Sequence, residues 1–195
     1  MKYQIKELSK EELTELYETN LKQDFPVSEI KPLWHITKSM EEQYGMSLGI
    51  YEGTDLRAYG IFILPKDYHA ALIDYFAVVS AFRGQGIGHS SLELIRTYFQ
   101  AGGGLDRLYI ECESPASTAD KAEQKTRSRR ISFYESMGCQ KTDCMSNVFG
   151  VEYEIFHLPV SSAPAPGSAR EELDTIYRTM FRPKHYANNV SIRKL

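Results

Sequence analysis

The residues best suited to chemistry form a glycine-spaced run, Arg83-Gly84-Gln85-Gly86-Ile87-Gly88, followed by His89 and Ser90. A glycine-rich turn lets main-chain N–H groups converge on an anion, and a helix start behind it adds partial positive charge. Two familiar phosphate loops do not fit. A P-loop needs Lys followed by Ser or Thr after its last glycine, where this chain has His89-Ser90. A dinucleotide fingerprint needs Gly-x-Gly-x-x-Gly and an acid at the end of the next strand; here the glycines alternate and Asp106 precedes its strand. Ser90 lacks the Gly-x-Ser-x-Gly elbow of a nucleophile and reads as a hydroxyl near phosphate at a helix start.

Three acids complete the candidate set. Asp74 lies four residues before Val78 and, by period-two alternation, projects to the same sheet face, while Glu111 and Glu113 share one face of a later strand. Each also has an ordinary role open to it, as a solvent-facing or salt-bridged carboxylate. Three cysteines without a Cys-x-x-Cys pair and five scattered histidines offer no metal site and fit reduced thiols.

These residues need a frame. Ser9 with Glu12, then Leu13, Leu16, Tyr17 and Leu21, predicts a capped amphipathic helix stopping near Phe25-Pro26, and a second helix runs from Pro32 towards Tyr44, with Gly45 ending it. Three extended runs, 46–52, 57–64 and 70–79, are separated by turn compositions, Gly53-Thr54-Asp55 and Pro65-Lys66-Asp67, and predict an antiparallel meander. The glycine run leads into a helix over 90–100, the triple glycine 102–104 breaks it, and a strand follows over 107–113. A crossover of that length favours a parallel pair. The polar stretch 114–127 reads as a loop or loose helical turn before a helix over 128–137, and 148–158 reads as one strand. Residues 161–167 read as a turn or linker, and from Ala169 the positions Leu173, Ile176, Tyr177, Met180 and Phe181 trace an amphipathic helix. The basic tail 182–195 either contacts a partner chain or frays.

At 195 residues with 42% hydrophobic and 25% charged side chains, an ordinary one-domain globular chain is expected. Lys plus Arg number 23 against 26 for Asp plus Glu, which excludes a general polyanion binder, so no nucleic-acid partner is expected. The charged start Met1 to Glu7 is no secretory signal, and no apolar run reaches membrane-spanning length, so a soluble, cytoplasmic protein is expected.

The run 83–88 after the strand Phe76-Ala77-Val78-Val79 resembles the pyrophosphate loop of the GNAT superfamily of acyl-CoA N-acyltransferases, Gln/Arg-x-x-Gly-x-Gly/Ala. Ile131-Ser132-Phe133-Tyr134-Glu135-Ser136-Met137-Gly138 is similar to the family's Leu-Tyr-Glu-x-x-Gly-Phe helix end. The resemblance implies a mixed α/β (α+β) fold over residues 1–160: a mostly antiparallel central sheet with one splayed parallel strand pair, flanked by helices. Residues 161–195 form a C-terminal helix and tail packing on the domain or on a second subunit, leaving monomer or homodimer open. Two departures fall on the acceptor side: Arg127 stands where many relatives carry Asn, and Cys139 where they carry Phe.

The resemblance implies acetyl-CoA as co-substrate, its pantetheine arm bonding to main chain at Phe76, Val78 and Val79 and its pyrophosphate to Arg83, Gly84, Gln85, Gly86, Ile87, Gly88, His89 and Ser90. The N–H near Val78 would face the thioester oxygen where charge develops. The acceptor is a small-molecule or peptide primary amine, and an alkylamine with a pKa of about 10.4 must lose a proton before or during attack. Asp74, Glu111 and Glu113 are the candidate bases, Glu111 foremost, and Tyr134 matches the family's proton donor to the departing thiolate. Two rival readings are a non-catalytic acyl-CoA-binding module and an enzyme using a longer acyl donor.

Overall fold

The computed structural model describes residues 2–66, 68–162 and 167–195. Asp67 of the predicted second turn and residues 163–166 of the predicted linker lie outside them. The chain divides into two compact units, one of Met1–Lys66 with Ile73–Gly102 and one of Asp67–Leu72 with Gly103–Leu195.

In the first unit the strands β1 (Gln4–Glu7), β2 (Gly45–Glu52), β3 (Asp55–Ile63) and the greater part of β4 (Ala70–Val78) stand in sequence order, with β1–β2 and β2–β3 antiparallel. Helix α1 (Lys10–Leu16) opens with the predicted capping box: Ser9 Oγ accepts from Glu12 N at 3.2 Å and Glu12 Oε2 accepts from Ser9 N at 2.9 Å. It continues through a π-helical turn, Tyr17–Leu21, into the short α2 (Lys22–Asp24), where the extended Phe25 ends it next to Pro26 as expected. Leu13, Leu16, Tyr17 and Leu21 bury against Leu8, Ile36, Tyr59, Ile61, Tyr75 and Ala77, so one face of β4 belongs to this core. Helix α3 (Leu33–Glu41) stops before Gly45; Gln43 makes the left-handed turn (φ 61°) and Gly45 opens β2 instead. Helix α4 (Ile87–Gly102) starts three residues earlier than its apolar stripe, in the glycine run itself, and Gly103 and Gly104 at positive φ end it.

The second unit holds the first residues of β4, Ala70–Leu72, followed by β5 (Arg107–Glu113), β7 (Val151–Pro159), β6 (Gln140–Val148) and β8 (Val190–Lys194) in that order. β4 and β5 are the parallel pair; β5–β7, β6–β7 and β6–β8 are antiparallel. With α5 (Lys121–Ser136), α6 (Ala169–Met180) and α7 (Pro183–Asn189), the fold class is the expected mixed one.

Three expectations are corrected here. Residues 114–120 are a loop with a short 3₁₀ turn, Pro115–Ser117, but 121–127 are not: α5 begins at Lys121, capped by Asp120, whose Oδ1 accepts from Ala122 N at 2.8 Å and Glu123 N at 3.4 Å. Its first half has good helix formers and no apolar stripe, so periodicity cannot reveal it. The strand expected over 148–158 is β7 and begins only at Val151, as the second arm of a hairpin with β6 turned by Phe149 (φ 51°) and Gly150 (φ 88°), two left-handed residues as a tight hairpin requires. The tail is not frayed, since β8 pairs along β6 from Cys144↔Lys194 to Val148↔Val190.

Asp120→Ala removes the cap of α5 and should cost about 1 kcal/mol, read as a lower urea midpoint at unchanged slope.

Candidate active site

β4 alternates cleanly towards its end. Tyr75 and Ala77 are buried, whereas Asp74, Phe76 and Val78 are half-buried on the other face. Tyr75 fastens the strand to the segment before α3: its hydroxyl donates to Glu29 O at 2.8 Å and accepts from Lys31 N at 2.8 Å. Burial, and then the charge of Asp74, push this phenol well above its ordinary range. Asp74, which by alternation shares a face with Val78, is ion-paired with Lys31 Nζ.

After Val78 the chain makes a short 3₁₀ turn, Ser80–Phe82, with Val79 N donating to Arg57 O at 2.9 Å. The Arg57 guanidinium lies 3.9 Å over the Phe82 ring. Arg83 Nε donates to Val78 O at 3.1 Å and its Nη2 to Asp24 Oδ1 at 2.6 Å. Gly84 (φ 76°) and Gly86 (φ 75°) are left-handed, and a Cβ on either would meet nothing within 4 Å. Glycine is therefore needed here for backbone conformation and not for space. Arg83 to Gly86 face solvent, and Ile87 is buried, pinning the helix start. Gly88, His89 and Ser90 occupy the first turn of α4, where main-chain N–H groups lack helical partners. Phe76, Val78, Val79 and residues 83–90 thus form one continuous strand–turn–helix, able to receive an anion on backbone donors.

In the second unit the two faces of β5 differ in chemistry. Leu108, Ile110 and Cys112 are buried on one; Tyr109, Glu111 and Glu113 occupy the other. Tyr134 of α5 is buried, and burial followed by the neighbouring Cys112 thiol pushes its hydroxyl well above the ordinary phenol range, so it keeps its proton at neutral pH. Burial likewise pushes the Cys112 thiol up to about 12, which removes it as a nucleophile. Gly138 at positive φ (82°) turns the chain sharply after Tyr134, and Cys139 N donates back to Tyr134 O at 3.1 Å.

On the opposite face Tyr177 of α6 donates to Glu111 Oε1 at 2.6 Å and lies 3.0 Å from Ser146 Oγ. Tyr109 donates to Glu172 Oε2 at 2.7 Å, and Arg107 Nη1 meets Glu172 Oε1 at 3.1 Å. Glu113 pairs with Arg127 Nε at 3.3 Å. Arg127 also donates to Ser114 O at 3.0 Å and Ser117 Oγ at 2.9 Å, so it ties α5 to the end of β5. The expected base Glu111 and the expected acid Tyr134 therefore lie on opposite faces of β5. Sequence reasoning missed Asp24, Lys31 and Tyr177; each pairs across dozens of residues, and no local spacing announces it. Among the described residues no group of three or more His, Cys, Asp or Glu could hold a metal ion, and no helix is long and apolar enough to cross a membrane.

No curated protein sequence matches the chain. Solved structures share its fold at low identity. The ribosomal-protein-S18-alanine N-acetyltransferase of Escherichia coli superposes with a TM-score of 0.58 at 20% identity, covering 85% of this chain and 99% of that one. The spermidine N-acetyltransferase of Vibrio cholerae gives 0.59 at 10% identity, with 82% and 95% covered. The yncA protein of Salmonella typhimurium, solved with its cofactor acetyl-CoA, gives 0.55 at 16% identity, with 87% and 100% covered. Residues 9–138, which contain the glycine turn, both strands of the parallel pair and Tyr134, match the acetyltransferase (GNAT) family, whose co-substrate is acetyl-CoA, and the chain belongs to that family of acyltransferases.

Proposed function

We propose that the protein moves an acetyl group from acetyl-CoA to a primary amine by direct attack in a ternary complex. The observation that carries this reading is the solvent-facing turn with left-handed Gly84 and Gly86, set directly between β4 and the first turn of α4. Backbone donors at 83–88, joined by His89 and Ser90, grip the pyrophosphate, and the main chain at Phe76, Val78 and Val79 takes the pantetheine arm as an added strand would be taken. The Val78 N–H then stabilises charge on the thioester oxygen during attack.

Tyr134 gives its proton to the departing thiolate. Burial keeps the hydroxyl protonated at neutral pH, so it enters the reaction as a donor and not as a base. Glu111 accepts the proton of the amine. Asp74 is ion-paired with Lys31 and Glu113 with Arg127, while Glu111 Oε1 accepts from the hydroxyls of Tyr177 and Ser146. The solved relatives, named for a protein amino acid and a polyamine, support a peptide or small-molecule amine as acceptor. Three buried cysteines outside any disulfide support a reducing compartment, the cytoplasm.

Calorimetric titration with acetyl-CoA, paired with a thiol-release assay across a panel of amines, tests the reading; binding without turnover would make the protein a binding module. Gly86→Val strains the left-handed turn by on the order of 1–3 kcal/mol and should weaken acetyl-CoA at least tenfold with the fold retained by circular dichroism. Tyr134→Phe should lower kcat by about 100-fold with KM for acetyl-CoA little changed, and Glu111→Gln should abolish the rise of rate with pH that a general base imposes.

A further inference from the structure

Arg83 is the only charged side chain in the turn 83–88, yet its guanidinium is engaged within the protein. Its Nε holds Val78 O at 3.1 Å and its Nη2 holds Asp24 Oδ1 at 2.6 Å, while about half of the side chain remains exposed at 51%. The carboxylate that receives it is almost fully enclosed, with the Asp24 side chain 1% exposed. Three donors converge on that one carboxylate: Arg83 and the main-chain N–H of Ser80 from the same loop, and the Tyr59 hydroxyl from β3 at 3.0 Å. Asp24 thus grips the loop at two points, Ser80 and Arg83, on either side of Ala81-Phe82. Arg83 relays that grip to the carbonyl that ends β4.

An enclosed carboxylate loses hydration worth several kcal/mol and persists only when paired and hydrogen-bonded, so the donors that surround Asp24 are held in turn. Arg57 fixes the remaining side of the segment, through its carbonyl to Val79 N and its guanidinium over Phe82. The chain reaches Asp24 through the π turn Tyr17–Leu21, a widened geometry uncommon in helices and frequent near functional positions.

We propose that Asp24 is a positioning residue for acetyl-CoA: by clamping Ser80 and Arg83 it holds the glycine turn with its N–H groups already aimed at the pyrophosphate. Side-chain charge at Arg83 serves the clamp, and the phosphates meet backbone donors. This rests on the reading of residues 83–88 as the pyrophosphate cradle. Pre-set donors spare the ligand the entropy of ordering a glycine-rich turn, so the clamp acts on affinity and not on the chemical step.

The test uses the full chain with Asp24→Asn and Tyr59→Phe. Amide hydrogen exchange without ligand, followed by mass spectrometry, should show faster exchange confined to residues 80–88 in Asp24→Asn, with the β6–β7 hairpin unchanged. Calorimetry with acetyl-CoA should show Kd raised about tenfold, and with the best amine of the panel KM for acetyl-CoA should rise to match while kcat stays within about twofold. Arg83→Gln added to Asp24→Asn should cost little more, as expected of two partners in one contact. Tyr59→Phe, which leaves both grips on the loop, should show a smaller loss of the same kind and stands in should Asp24→Asn fail to fold. An unchanged acetyl-CoA affinity in Asp24→Asn against a binding wild type, or exchange accelerated equally throughout the chain, overturns the proposal alone. A wild type that does not bind acetyl-CoA overturns the cradle beneath it, and the exchange comparison still reports whether the clamp exists.

Discussion

Everything the glycine turn can do depends on its ends being fixed while its middle stays open. Gly84 and Gly86 adopt left-handed conformations in solvent with no side chain around them, so the turn cannot hold its own shape by packing. Constraint comes from outside it: β4 enters with Tyr75 and Ala77 locked in the core, Ile87 buries at the exit, and Arg83 ties the carbonyl of Val78 to the carboxylate of Asp24. A backbone presented in this way can bond an anion without first being ordered.

β5 illustrates a second constraint, the strict alternation of a strand. Its two side-chain rows deliver one face of apolar groups and thiol, against which Tyr134 keeps its proton, and another of carboxylates enclosed by hydroxyls and guanidinium groups. Two opposite acid–base environments arise within seven residues because neighbours along a strand never share a face.

The elements with a pronounced repeat were legible in the chain. β5 was expected at both its ends as observed, α1 with its capping box, and α6 from its apolar spacing. Elements without a repeat were not. The first half of α5 is polar on all sides, and the register shift in β6 between Lys141 and Met145 puts Cys144, Met145 and Ser146 in the interior consecutively, which erases the alternation. Of the candidate site, the glycine run and its strand were visible because turn chemistry is local. The partners of the ionisable groups were not: Asp24 meets Arg83 across 59 positions and Glu111 meets Tyr177 across 66, separations that composition and spacing do not encode.

The polar character of α5 also bears on how it opens. Its carboxyl-terminal end is anchored by the buried Tyr134 and the turn at Gly138, whereas its opening turns hold on through a cap at Asp120 and the guanidinium of Arg127. Stability along a single helix is therefore uneven: thermal fluctuations unravel it from Lys121 inward, and the phenol lies in the last stretch to come loose. The polar opening turns can be lengthened, shortened or recoded with little disturbance to the end that bears Tyr134, which leaves this part of the fold open to change over evolutionary time.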